Sequence, residues 1–493
     1  MMRRLAFFGL LVGSATMLTS PLQAPQAGGD KGMPPSRVER KNAAPVSKDV
    51  LKVTLPKATE TTLSNGLTVL IIEDRRLPLV SLQLNISAAG PLFEPAEMPG
   101  LAGLTAAMLR EGTKTKTSVQ IAEEIAQFGA TLNASSGFGS SATVVSASGL
   151  SDNFDQWFGL ANDLLMNPTF PADELNRLKA RMKVQLTQQR ASPNFLLSER
   201  FNRAVYGNHP GAVISTNAAA LDLMTPETLR KWHSDRYSPQ NSVLGITGDV
   251  KGSELVPKLE KWLAGWKRTD LKEVLPPNAK ALEAKKVYLV DRPGSVQTSL
   301  MIGNISVDRR DPDYIPLTVL NHVLGGGAAA RLFVNLREEK GYTYGAYSSF
   351  TALKYPGPWR AYGDVRTEVT DGAMTEFVNE IQRLGTQTVP VNELDDAKRS
   401  LVASFALGLE SPDTALNYAI IRRIYGFPVD YWDTYATRIM AVTAADIQRM
   451  ARKYLVPESL QIVAVGDATK IKTILEKYGP VEVYRVDGTR AGN

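Results

Sequence analysis

Metal or thiol chemistry has few places to reside in this chain, which holds three histidines (His209, His233 and His322) and no cysteine. A protein zinc site needs three or four nitrogen, sulfur or carboxylate ligands at about 2 Å. No two of the histidines are within helical reach of one another, and no acidic residue falls between Glu174 and Glu199. His209 stands in the turn Tyr206-Gly-Asn-His-Pro210, where a capping or packing role is expected. His233 lies in an amphipathic helix as a surface or boundary residue, and His322 precedes a glycine triplet and packs inward. The triplet itself, Leu324-Gly-Gly-Gly327, has no Gly-Lys-Ser/Thr continuation and so is no P-loop. Taken singly, Arg337 is a helix-end cation and Tyr344 a strand aromatic.

The elements that must position these residues follow from periodicity. Leu63-Ser-Asn-Gly-Leu-Thr-Val-Leu-Ile-Ile72 predicts a strand, a tight Asn-Gly turn and a second strand. Pro78 to Ser87 alternates apolar and polar residues, as a half-buried strand does. Helical spacing covers 100–111, 117–128, 152–165 and 171–190, with a strand from Ser140 to Leu150. The helix at 100–111 opens at Pro99-Gly100, closes at Gly112, and turns Leu101, Leu104 and Met108 to one face. Further on, a glycine turn leads to a short helix from about Ala328, a Gly341 cap and a strand Tyr342–Phe350. The class is α+β, antiparallel sheets with helices packed on one face.

The chain also repeats itself. Thr225 opens a capped helix ending at Tyr237, followed by Pro239, a strand Ser242 to Thr247 and Gly248-Asp249. Thr443 opens a helix ending at Tyr454, followed by Pro457, a strand Leu460 to Val465 and Gly466-Asp467. Corresponding residues are 217 or 218 positions apart throughout. Two homologous halves of roughly 220 residues are therefore expected, 59–271 and 287–482, joined by a Pro- and Lys-rich linker at 272–286.

The stretch Pro99-Gly-Leu-Ala-Gly-Leu-Thr-Ala-Ala-Met-Leu-Arg-Glu-Gly-Thr113 resembles the zinc helix of the pitrilysin, insulin-degrading enzyme and mitochondrial-processing-peptidase family of zinc metallopeptidases. In that family the frame carries the inverted His-x-x-Glu-His motif of the inverzincins. Here the first histidine position is Gly103, the glutamate is Ala106 and the second histidine is Ala107. The later glutamate ligand, roughly 75 residues on, falls where this chain reads Ala180-Arg-Met-Lys-Val-Gln-Leu-Thr-Gln-Gln-Arg190. The resemblance thus implies the family's two-half α/β roll and clamshell with its metal chemistry erased, and no metal in this chain.

The same resemblance extends from about residue 60 to 480 and includes Arg331-Leu-Phe-Val-Asn-Leu-Arg-Glu-Glu-Lys-Gly-Tyr-Thr-Tyr344. Family members carry an Arg and a Tyr seven residues apart at this junction, matched here by Arg337 and Tyr344. The resemblance implies that they reach the zinc-bound peptide: a guanidinium offers a fork of donors, and a phenol can donate to a developing oxyanion. Some members work as pairs of related chains. The expectation is therefore a metal-free, Arg/Tyr-supplying subunit of a heterodimeric peptidase, with zinc in a paralogous partner and peptides as substrate. The alternative is a non-catalytic peptide-binding or scaffold protein on the same fold.

At 493 residues, 43% hydrophobic and 22% charged, the chain has ample material for two cores. Its net charge of +6 is mild and unclustered, which gives no support to a nucleic-acid partner. Met1-Met-Arg-Arg4 and the apolar run Leu5 to Leu18 read as a secretory signal in residues 1–24, cleaved at Ala24 or Ala27. The h-region is too short and too broken to span a bilayer well, so no stable membrane insertion is expected after cleavage; a retained anchor is the alternative. Residues 25–58 read as a flexible leader, and the destination as the periplasm.

Overall fold

The computed structural model describes residues 53–269 and 275–492. The signal at 1–24 and nearly all of the leader lie outside the described residues. Two six-stranded sheets dominate the rest. The first is built from β1 (Thr59–Thr62), β2 (Thr68–Glu73), β3 (Leu79–Ser87), β4 (Thr131–Ser135), β5 (Ala142–Leu150) and β6 (Ser242–Gly248) in the order β1-β2-β6-β3-β5-β4. The second uses β7 (Val287–Asp291), β8 (Gln297–Ile305), β9 (Thr343–Phe350), β10 (Pro358–Arg366), β11 (Gln461–Gly466) and β12 (Val481–Tyr484) in the order β12-β7-β11-β8-β10-β9. Five strands of each sheet share one order, β2-β6-β3-β5-β4 and β7-β11-β8-β10-β9, which is the three-dimensional form of the sequence repeat; the outer strand differs, β1 running antiparallel to β2 and β12 parallel to β7. The α+β class and the two homologous halves are as expected.

The sheets are mixed rather than antiparallel. β2 pairs parallel to β6, and β7 pairs parallel to both β11 and β12. The long helical excursion before β6 and β11 lets each return in the same direction as its neighbour. β3 shows why alternation was legible: Val80, Leu82, Leu84 and Ile86 are buried, while Ser81, Gln83, Asn85 and Ser87 are half-exposed.

Helices cover one face of each sheet, but the other face is not simply open. The helix Pro193–Tyr206 leaves the N-terminal half and seats Leu196, Leu197 and Phe201 on Tyr288, Val290, Met301, Val463 and Val465 of the C-terminal sheet. Reciprocally, the helix Pro412–Tyr425 seats Ala415, Leu416, Ala419 and Ile420 on Leu70, Ile72 and Val243 of the N-terminal sheet. Strands buried on both faces read as continuous apolar runs, as Val69-Leu-Ile-Ile72 does. The halves thus exchange one helix each.

Two boundary segments are more engaged than expected. Residues 53–58, read as leader, carry no regular secondary structure, yet Val53 and Leu55 lie against the C-terminal core and the Leu55 amide donates to Asp433. The described part of the 272–286 linker is tied down as well: Leu282 exchanges bonds with Asn304, and the Lys285 amide donates to Glu458 O.

Candidate functional site

The zinc-like frame forms the helix Leu101–Met108, entered through Gly100 at φ 99°, a conformation that favours glycine. Its start has no side-chain cap of the ordinary kind. Instead Glu94 reaches forward, and its carboxylate accepts the amides of Gly100 at 2.8 Å and Ala102 at 2.6 Å. Burial nevertheless pushes the Glu94 carboxyl up to about 7, against the opposing pull of those two bonds. Nothing in its sequence context, Glu-Pro-Ala-Glu-Met-Pro-Gly, marked it beyond lying just ahead of a helix.

Leu101, Leu104 and Met108 enter the core as their spacing required. Gly103 and Ala107 share a half-buried face, and Ala106 is fully buried. A hydrogen and two methyl groups can ligate nothing. A Cβ at Gly103 would lie 3.1 Å from the Ser136 carbonyl oxygen, so the space for a larger residue there has tightened too. The helix Ala172–Gln189, where the family's remaining ligand would stand, turns Leu178, Met182 and Leu186 to the core. Beyond Glu174 its charged side chains are all cationic: Lys179 donates to Met224 O at 2.9 Å and Lys183 to Asp222 at 2.6 Å. These residues do not fit a zinc ion.

Two of the three histidines are engaged in hydrogen bonds, and the third is partly buried. His209 Nδ1 accepts the Gly211 amide at 2.9 Å, which leaves the proton on Nε2 for Pro277 O at 2.8 Å. It caps a turn, stacked on Tyr206. His233 bonds Leu165 O at 2.8 Å through Nε2, and burial pushes it down to about 4. His322 is lowered by burial under the glycine triplet, its Nδ1 2.7 Å from where a Cβ at Gly326 would stand.

Arg337 and Tyr344 both sit at backbone irregularities. The short helix starts at Arg331 rather than Ala328, and after Phe333 it continues as a π-helix over Val334–Glu339. The Lys340 amide reaches back five residues to Asn335 O at 3.0 Å. On β9 the pairing with β10 slips between Gly363 and Val365, which leaves Tyr344 and Gly345 as a bulge opposite Asp364. The Thr343 hydroxyl pins the bulge through the Gly345 amide and the Asp364 carbonyl. Tyr344 therefore escapes the alternation that buries Ala346 and Ser348, and it is 88% exposed. π-turns and bulges are both over-represented at functional sites. The guanidinium of Arg337 lies 4.7 Å from the Phe333 ring and 3.5 Å from Glu338, both on its own helix, so its donors stay accessible.

What sequence reasoning missed is the anchor beneath. Asn335 is buried among Leu332, Phe333 and Leu336, and its amide donates to Glu376 at 2.9 Å and Glu380 at 2.8 Å on the helix Thr370–Thr386. Glu380 also accepts from Arg383 at 2.7 Å, and Arg331 forks onto Glu393 at 2.6 and 2.9 Å. The one readable signal was an asparagine at a position the apolar spacing assigns to the core.

Comparison with known proteins bears on this architecture directly. A family model described as Insulinase (Peptidase family M16) matches residues 68–215, and one described as Peptidase M16 inactive domain matches 224–401. The chain belongs to peptidase family M16. It is similar to the Bacillus subtilis protein named zinc protease YmxG, at 24% identity over 72% of this chain and 85% of that one. A Rickettsia felis protein named as a zinc protease is 27% identical over 72% of this chain and 86% of the relative. A solved M16 inactive domain from Pseudomonas fluorescens superposes with a TM-score of 0.77 at 28% identity, covering 83% of this chain and 98% of its own. The relatives are named for zinc, whereas this M16 chain carries no donor at the three central positions of the frame. Among the described residues no group of three or more His, Cys, Asp or Glu side chains is placed to hold a metal ion, and no helix is long and apolar enough to cross a membrane.

Proposed function

We propose that this protein is the metal-free subunit of an exported, heterodimeric M16 peptidase, supplying Arg337 and Tyr344 to peptide bound at a zinc-bearing paralogue. One contrast carries the reading. At Gly103, Ala106 and Ala107 every reactive group is gone, while Arg337 and Tyr344 are accessible on a π-turn and a bulge that cost backbone regularity. Arg337 donates its fork to a carbonyl of the bound peptide and Tyr344 its phenolic proton to the oxygen where negative charge develops. Bond cleavage itself belongs to the partner's chemistry. Export rests on the amino-terminal signal pattern, and a periplasmic location follows from it.

The test is co-purification of the tagged mature chain, with zinc measured in each eluted subunit, followed by turnover of the reconstituted pair. Zinc confined to a co-purified M16 paralogue is expected. Tyr344→Phe should then lower kcat by about 10²–10³, the cost typical of one oxyanion donor, and Arg337→Ala should lower turnover sharply as well. Unchanged turnover would remove the catalytic role and leave a scaffold or peptide-binding protein.

A further inference from the structure

Beside the exchanged helix Pro193–Tyr206, the same face of the C-terminal sheet carries a continuous strip of rings with an arginine at each end, Tyr362 packing against the helix cluster. Arg337 lies over Phe333 at 4.7 Å, Phe333 meets Tyr347 at 5.7 Å, Tyr347 meets Tyr362 at 6.2 Å, and Arg360 lies 5.8 Å from Tyr362. Tyr347 and Tyr362 are directly opposed on β9 and β10, and Ser349 opposes Arg360 one step further along the same face. Gly345 makes room for the strip: a Cβ there would stand 2.7 Å from the Tyr347 ring, which lies across it. Phe333 is buried as the floor, while Tyr347, Tyr362 and Arg360 are half-exposed.

Arg360 has a charge without a matching carboxylate. Its Nε donates to Ser349 Oγ at 3.3 Å, which leans it toward β9, and among the described residues it forms no ion pair. The nearest acid along its own strand face, Asp364, lies beyond Tyr362 and accepts from Ser299 Oγ at 2.5 Å. The matching face of the N-terminal sheet carries neutral side chains at Ser81, Gln83, Asn85, Ser146 and Ser148.

β9 is the outer strand of its sheet, pairing with β10 alone, and its free edge can accept an extended peptide as a further strand. Side chains two residues apart on such a strand point the same way about 7 Å apart. That is the step from Tyr347 to Ser349 and, behind them, from Tyr362 to Arg360. We propose that this strip is a side-chain subsite for extended peptides, taking an aromatic or large apolar side chain against Tyr347 and Tyr362 and a carboxylate two residues along at Arg360. Ring faces favour offset aromatic contact, and a guanidinium takes a carboxylate in a two-bond fork. The inference rests on the reading of this protein as one that handles peptides, and it names their class: aromatic-x-acid.

Fluorescence anisotropy of the isolated mature chain tests it, using labelled threonine-rich peptides of about ten residues that carry Phe-Thr-Glu, Phe-Thr-Lys or Ser-Thr-Glu at the centre. The first should bind roughly tenfold tighter than either other, the effect of one charge-assisted contact or one buried ring. Arg360→Glu, a substitution on a half-exposed side chain, should invert the preference to Phe-Thr-Lys. Tyr347→Ala should erase the advantage of Phe over Ser, with circular dichroism confirming the fold. Equal affinities for the three peptides, or a ranking that Arg360→Glu leaves in place, would overturn the subsite. No partner or turnover enters these measurements. A sustained ranking alongside turnover indifferent to Arg337→Ala would therefore retire the catalytic reading and keep the subsite.

Discussion

Phe201, from the N-terminal half, touches Gly303 in the C-terminal sheet closely enough that a Cβ at Gly303 would lie 3.0 Å from its ring. The reciprocal contact is tighter: a Cβ at Gly245 would meet Ile420 at 2.7 Å and Leu416 at 2.8 Å. Each exchanged helix is thus fitted to a glycine of the opposite sheet, and the two halves stabilise one another through both.

The exchange predicts that Gly245→Val destabilises the whole chain. Overpacking a fitted core typically costs about 1–3 kcal/mol. Urea unfolding should show a lower midpoint with the slope unchanged, because both halves still unfold together. A separate early transition of one half would show that the exchange does not couple them.

Restoring the family's motif should not restore the metal. The triple variant Gly103→His, Ala106→Glu, Ala107→His supplies two imidazoles, yet no carboxylate stands on 175–189 to complete the set, and Ser136 O crowds the first position. We expect the variant to lose zinc on gel filtration, measured by elemental analysis of the protein peak. Stoichiometric retention would mean that another donor is within reach.

The anchor under Arg337 should matter more than its distance from the surface suggests. Asn335→Leu removes the shared donor of Glu376 and Glu380, and Glu380 is only 2% exposed. Stripping a partner from a buried acceptor costs about 1–3 kcal/mol. Amide exchange at Lys340, whose N–H bonds Asn335 O in the π-turn, should accelerate in the same variant. An unchanged melt and unchanged exchange would assign the turn's geometry to Leu332, Phe333 and Leu336 alone.

Most of the architecture was readable because it rests on local pattern: the Val80–Ile86 alternation, the Thr225 and Thr443 capping boxes, and the helix face of Leu101, Leu104 and Met108 all appear where spacing placed them. What was not readable is non-local. Nothing local tells the 193–206 helix to leave its own half, since its apolar face fits any sheet, and strand direction depends on how far the chain travels between pairings. The bulge at Tyr344 and the π-turn under Arg337 are one-residue departures that no period announces. Glu94 and Asn335 matter through partners six to forty-five positions away.

Two half-buried titrating groups, Glu94 and His233, make opposite demands on pH. Glu94 is raised from 4.5 to about 7, so the folded state holds its proton more tightly than the unfolded chain. Its contribution is complete below about pH 4.5 and is lost as pH rises through 7. His233 is lowered from 6.5 to about 4, so the unfolded chain binds the proton more tightly. That contribution is complete above pH 6.5 and is lost as pH falls through 4. Between pH 4.5 and 6.5 the two slopes offset. Glu94→Gln removes the titration, leaving the His233 slope exposed; it keeps an acceptor for only one of the Gly100 and Ala102 amides, a loss that does not vary with pH. Relative to the parent, the variant should gain stability as pH rises from 4.5 to 7.5, by up to roughly 3 kcal/mol at 1.36 kcal/mol per pKa unit. Urea midpoints for both proteins at pH 4.5, 5.5, 6.5 and 7.5 measure this directly. Parallel profiles would show that Glu94 ionises in the folded chain as it does in the unfolded one, with the helix start at Gly100 indifferent to its charge.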